Sequence, residues 1–166
     1  MTRLHRLSTD RSGTAAAELA LVLPLLLTMM FSTFELGNYF LAEHVVHKGV
    51  RDAARYAARL PMVNYPSCVP TAAATAQIQR MARTGRPDSG GAPQKLQGWT
   101  ADTMTTVTLT CVATGTYTGI YTQFPTGVTV VKVSASVPYP TVLGTMGIAI
   151  PTLKIGAESQ SAVYGA

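Results

Sequence analysis

Glu18 is the one charged residue in the run from Thr14 to Phe34, TAAAELALVLPLLLTMMFSTF. A carboxylate at the middle of a bilayer costs about 2.5–3.5 kcal/mol, and less near an end. Glu18 therefore either points to the interface or pairs with a cation. Cutting the chain after Gly13 supplies such a cation. The new α-amino group of Thr14 carries a charge near neutral pH, given a reference pKa of about 7.7–8.0. One subunit's amine and a neighbour's Glu18 then neutralise each other. Pro24 lies in the same run, where it removes a helix hydrogen bond and kinks the rod. Membrane helices tolerate this when neighbours satisfy the freed carbonyl.

Other chemistry is thin. Glu43, His44 and His47 form the best cluster of metal ligands, but a site needs a further ligand and an open position. The sequence predicts no metal and no cofactor there, only a polar helix face or a pH-sensitive contact. No nucleophile elbow, phosphate loop or zinc-protease motif is present, so the chain does not read as an enzyme. Cys68 and Cys111 pair as a disulfide in an oxidising compartment or stay as two buried thiols. Arg51, Arg55 and Arg59 form a line that is either a solvated helix face or a contact surface. Its partner would be another subunit, an acidic protein or lipid headgroups.

The elements that position these residues begin with the apolar run. Its 21 residues give roughly 31 Å of helix at about 1.5 Å per residue. That matches a bilayer core of about 30 Å. Leu, Met and Phe surround this helix on every side. Arg3, Arg6 and Arg11 precede it, and positive flanks stay in the cytoplasm. The N-terminus is thus expected inside and the C-terminal domain outside. The apolar region follows the expected cut, so it stays as an anchor and is not removed as a signal.

Of 166 residues, 13% are charged, and the formal charge is +5. Removing Arg3, Arg6, Arg11 and Asp10 with the leader lowers it to +3. This is not the dense basic patch of a nucleic-acid binder, and no nucleic-acid partner is predicted. From Glu35 helical signals continue to Leu60, with Pro61 as the stop. Tyr39, Ala42, Val46, Val50, Ala53, Ala57 and Leu60 make one apolar stripe, opposite the arginine line. Asp52 lies within reach of Arg55, and Gly37 and Gly49 are points where the helix could bend. One helix from about Thr14 to Leu60 would be roughly 70 Å long.

Pro61 to Pro70 reads as a loop carrying Cys68. Thr71 to Thr84 reads as a second helix stopped by Gly85, with Arg80 and Arg83 suiting its dipole. Gly85 to Gly98 is expected as an exposed, mobile loop, with Trp99 packing at the domain edge. Three alternating runs then predict half-buried strands. They are Thr105, Val107, Leu109, Cys111 and Ala113; then Val131, Val133, Ala135, Val137 and Tyr139; then Leu153, Ile155, Ala157 and Val163. Thr114 to Thr126 is a loop or an extra hairpin, and Thr141 to Ile150 a loop or short helix. The fold class is α+β, a long N-terminal helix packed against a small antiparallel sheet.

The anchor AAAELALVLPLLL, the Gly13-to-Glu18 spacing behind a basic leader, and the run Ala54-Arg55-Tyr56-Ala57-Ala58 together resemble the TadE-like group, the minor pilins of the Tad (Flp) pilus system. Thr14 departs from the Phe or Met that opens most mature type IV pilins. The resemblance covers residues 13–60. It implies a leader at 1–13 removed by a prepilin peptidase, an assembly helix at 14–34 and an extracytoplasmic domain at 35–166. It also implies a bacterial inner-membrane location, partners among the other Tad pilins and the assembly platform, and roles in adhesion, biofilm and DNA uptake. The domain is too large for the major Flp pilin. The alternatives are a type II secretion pseudopilin and an uncleaved single-span protein with an extracytoplasmic binding domain.

Overall fold

The computed structural model describes residues 12–88, 91–112, 127–145, 147–148, 151 and 153–165. The expected leader up to residue 11, and the segment joining the first two strands, lie outside the described residues. The chain divides into two compact units, Met1–Asn38 and Tyr39–Ala166.

One helix, α1, runs Ser12–Arg59 and contributes to both units. In the first unit Ala, Leu, Met and Glu, all strong helix formers, carry it through Pro24. Every residue from Gly13 to Phe34 is exposed. Helical hydrogen bonding continues through both Gly37 and Gly49, where the sequence suggested bends.

In the second unit α1 turns one face inward. Ala42, Val46, Val50, Ala53, Ala54, Ala57 and Ala58 are buried. This is the expected stripe, widened by Ala54 and Ala58. Proline has no N–H to give, so Pro61 cannot continue the ladder to the Ala57 carbonyl. Leu60 N–H donates there instead at 3.2 Å, and the buried Tyr65 hydroxyl donates to the same oxygen at 2.6 Å. The Ala58 carbonyl accepts from the N–H groups of Tyr164 at 2.9 Å and Gly165 at 3.2 Å. The end of the helix, with its orphan carbonyls, is closed by another part of the chain.

Two short 3-10 turns, Met62–Asn64 and Pro66–Cys68, follow. Helix α2 spans Ala72–Thr84. Thr71 caps it by accepting from Ala74 N–H, and Gly85 ends it in the left-handed region at φ 83°, which glycine takes without a Cβ penalty. Its inward face is Ala74, Ile78 and Ala82, at helical four-residue steps.

After a third 3-10 turn at Asp102–Met104 come β1 (Thr105–Val112), β2 (Val128–Pro138) and β3 (Lys154–Ala162). They form one antiparallel sheet in the order β1-β2-β3. The register sets Val133 between Val107 and Ser159, and Ala135 between Thr105 and Ala157. Val131, Val133, Ala135 and Val137 of β2 are buried, as are Ile155 and Ala157 of β3. These alternate positions share one core with the inward face of α1, with Ile78, Ala82 and Trp99. The α+β arrangement follows from period-two strands covering a period-3.6 helix stripe.

Several details differ from expectation. Trp99 is not at an edge but fully buried. Its ring would stand 3.1 Å from a Cβ built on Gly49, and the Ala82 carbonyl oxygen 2.6 Å. Gly49 is thus a close-approach residue, not a bend. The described part of the Gly85–Gly98 loop is held: Lys95 N–H donates to Arg83 O at 2.8 Å, and Leu96 packs on the core. Asp52 pairs with Lys95 at 3.7 Å, not with Arg55. Leu153 is exposed and precedes β3. The crossing before β3 agrees with expectation: of a loop or a short helix, its described part holds a short helix, α3, at Val142–Thr145.

Candidate functional site

The first candidate is the start of α1. Gly13 and Thr14 sit in its first turn. Glycine is about 1 kcal/mol poorer than alanine in a helix. A Cβ on Gly13 would meet nothing within 4 Å. Among the described residues nothing therefore demands glycine at this position. Thr14 and Glu18, four residues apart, lie on the same side of the helix. Glu18 is exposed, among Leu19, Leu21 and other uncovered apolar side chains.

Between Pro24 and Phe34 the helix carries three hydroxyls, and each donates back to its own backbone. Thr28 Oγ1 donates to Leu25 O at 2.8 Å, Ser32 Oγ to Thr28 O at 2.7 Å, and Thr33 Oγ1 to Met29 O at 2.8 Å. A hydroxyl with an internal acceptor can face hydrocarbon without a large penalty. Leu21, at 80% exposed, and Leu19, Met29 and Phe34, each at 60% or more, are left for something apolar to cover. Among the described residues one helix is long and apolar enough to cross a membrane, and it is this one.

The second candidate is the outward face of α1 in the second unit. Arg51, Arg55 and Arg59 are exposed there, and so are His44 and Lys48. Arg59 Nε donates to the Tyr164 hydroxyl at 3.2 Å. Among the described residues no carboxylate forms an ion pair with Lys48, Arg51, Arg55 or Arg59. Carboxylates of the second unit are engaged elsewhere, in Arg83–Asp102, Lys95–Asp52 and Lys132–Glu158 and in a His47–Glu43 contact. Burial lowers the Lys95 ammonium below its usual range, partly offset by the Asp52 carboxylate beside it. Sequence reading stopped at the three arginines. Continuing the three- and four-residue steps back from Arg51 would have added Lys48 and His44.

The histidine cluster resolves into one i,i+4 contact, His47 Nε2 to Glu43 Oε1 at 3.7 Å. No group of three or more metal-ligating side chains converges among the described residues. Cys68 and Cys111 are joined in a disulfide, with Cα atoms 6.0 Å apart. It fastens the turn at Pro66–Cys68 to β1.

The family model for TadE-like proteins matches residues 13–55. The match opens on Gly13 and closes on Arg55, so it contains Thr14, Glu18, Pro24 and two of the three arginines. No curated protein matches the chain, and no solved structure does.

Proposed function

From the premise that residues 13–55 are TadE-like, we propose that this chain is a structural minor pilin or pseudopilin serving assembly of a Tad pilus. In this reading the basic leader stays in the cytoplasm and residues 14–34 cross the bacterial inner membrane. The second unit stands outside, and a prepilin peptidase cuts after Gly13. The freed Thr14 amine then meets the Glu18 carboxylate of a neighbouring pilin. That pairing removes the cost of a lone charge in lipid or in a fibre core.

The observation that supports this best is the coincidence of the match's first residue with Gly13, at the head of a helical stretch, Gly13 to Phe34, that is exposed on all sides. An exposed apolar helix has to be covered by lipid before assembly and by other helices after it. Adhesion and biofilm formation are the activities such a subunit would serve. The assembly platform and the other pilins are the partners it would meet.

The test is the intact mass and N-terminal sequence of membrane-extracted protein, with and without the prepilin peptidase. The expected product is a chain of 153 residues starting at Thr14, which is 166 less the 13 of the leader, and only when the peptidase is present. Gly13→Leu should block it. An uncut chain in both samples would remove the amine and favour a plain single-span membrane protein. Given cleavage, Glu18→Gln should insert normally yet fail to join the pilus; normal piliation would sink the pairing.

A further inference from the structure

We infer that the outward face of α1 from Phe40 to Arg59 is a docking surface for an acidic helix of a different protein, apolar at the end that meets Phe40 and Leu41. This holds for a cleaved or an uncleaved chain.

The geometry comes first. His44, Lys48, Arg51, Arg55 and Arg59 follow one another at steps of four, three, four and four residues. At about 100° per residue they fall within an arc of about 80°, and from 44 to 59 they cover about 22 Å of axis. The row is exposed throughout. Two shallow grooves run beside it, the first touching His44, Lys48, Arg51 and Arg55, the second Arg55, Tyr56, Arg59 and Met81, and Asp52, engaged with Lys95, lines both. At its beginning Phe40 is 51% and Leu41 68% exposed. The face therefore changes along its length from apolar to basic.

Charge decides the occupant. Residues 39–166 hold ten Lys and Arg against five Asp and Glu. Three of those five carboxylates, Asp52, Asp102 and Glu158, already have a Lys or Arg partner, and Glu43 lies against His47. A second copy of this unit would bring a basic row to a basic row with no line of free carboxylates to answer it. The row is about one residue wide and is bordered by Asp52. That suits a line of carboxylates three and four residues apart on a helix better than a broad phosphate surface. Guanidinium forks take carboxylates two oxygens at a time, and helices that meet through i, i+3 and i, i+4 anchors dock in this way.

The experiment uses the full chain in neutral detergent. Its probe is a synthetic helix with Leu in its first turns and Glu at three- and four-residue steps after them. Controls are a scrambled peptide of equal charge, anionic and neutral lipid vesicles, and duplex DNA. The expected result is salt-sensitive binding of the patterned helix, about tenfold or more tighter than the scrambled one. Several exposed charge pairs acting together give an effect of that size. Arg51→Glu, Arg55→Glu and Arg59→Glu combined should abolish it, and a patterned peptide with Lys in place of Glu should then bind that variant. Phe40→Ser with Leu41→Ser should weaken binding without changing its salt dependence. Equal binding of the scrambled peptide, or tighter binding to anionic vesicles or DNA, would overturn the proposal. Near-ultraviolet circular dichroism checks each variant's fold, and the patterned-against-scrambled comparison on the unaltered chain decides the matter without any variant.

Discussion

The same helix is built in two ways. From Gly13 to Phe34 its side chains are mostly large and all of them are exposed. From Ala42 to Ala58 the inward ones are small, Ala, Val and one Gly, and are buried by the chain itself. Both stretches are apolar, so hydrophobicity does not separate them. Side-chain size and the number of apolar faces do. Small residues let α2, Trp99 and the sheet come close on one side, and the opposite side is free to be basic. Large residues on all sides leave no room for a domain and favour a surrounding of lipid.

The sharpest way to break the second region is Trp99→Ala. The ring is fully buried against Gly49, and deleting a large core aromatic costs about 3–5 kcal/mol. Chemical denaturation of the membrane-extracted chain should show that loss in the tertiary signal of the second unit, while membrane partition is unchanged. Next is Cys68→Ser with Cys111→Ser. The bond closes a sequence separation of 43 residues, for which chain entropy alone gives about 4 kcal/mol. The double variant should unfold at lower denaturant, and reducing agent should then have no further effect.

A pair of glycines sharpens the contrast. A Cβ at Gly49 would lie 2.6 Å from a backbone oxygen of Ala82, whereas one at Gly37 meets nothing within 4 Å. Gly49→Ala should cost about 1–3 kcal/mol through overpacking. Gly37→Ala should be neutral or add up to about 1 kcal/mol through helix propensity. Thermal midpoints of the two variants moving in the same direction would argue against the assignment.

The smallest effect belongs to Tyr65. Tyr65→Phe removes the hydroxyl from the Ala57 carbonyl, which keeps Leu60 N–H, so the loss should be about 1 kcal/mol. Burial, with a smaller contribution from Tyr56, pushes the Tyr65 phenol up to about 12. A raised folded-state pKa holds its stability below the unfolded value and loses it above. Tyr65 thus contributes stability up to about pH 10 that fades as pH rises towards 12. Lys95 works the other way: its lowered pKa lets stability rise with pH until about 10.5. Above that the loss from Tyr65 continues, joined by one of the same sign from Tyr56, whose phenol burial also raises. Alkaline unfolding of the Tyr65→Phe variant should be flatter between pH 10.5 and 12.

Much of this was legible beforehand, and the reasons are physical. Pro61 and Gly85 act through their own backbones and Thr71 through its own hydroxyl on the first turn, so the end of α1 and both ends of α2 could be read locally. The alternation in β2 has one buried face and showed itself as Val131, Val133, Ala135 and Val137. What escaped were choices made between distant residues. Asp52 has Arg55 one turn away, yet it pairs with Lys95. Trp99 follows a Gly-rich loop that looks peripheral, and its depth depends on Gly49 having no side chain. In the candidate site the arginine line was visible as spacing. That its carboxylate neighbours are already engaged could be known only from three dimensions.

The disulfide has a consequence for how the chain behaves under load. A fully extended chain spans at most about 3.3–3.6 Å per residue. The 43 residues of separation between Cys68 and Cys111 would let out about 150 Å of slack if the second unit were pulled open from its ends. The bond holds their Cα atoms at 6.0 Å, so that slack is withheld. Under tension the unit yields α1, β2 and β3 but keeps α2 and most of β1 inside a closed loop. With the thiols reduced, single-molecule stretching should lengthen by about that amount.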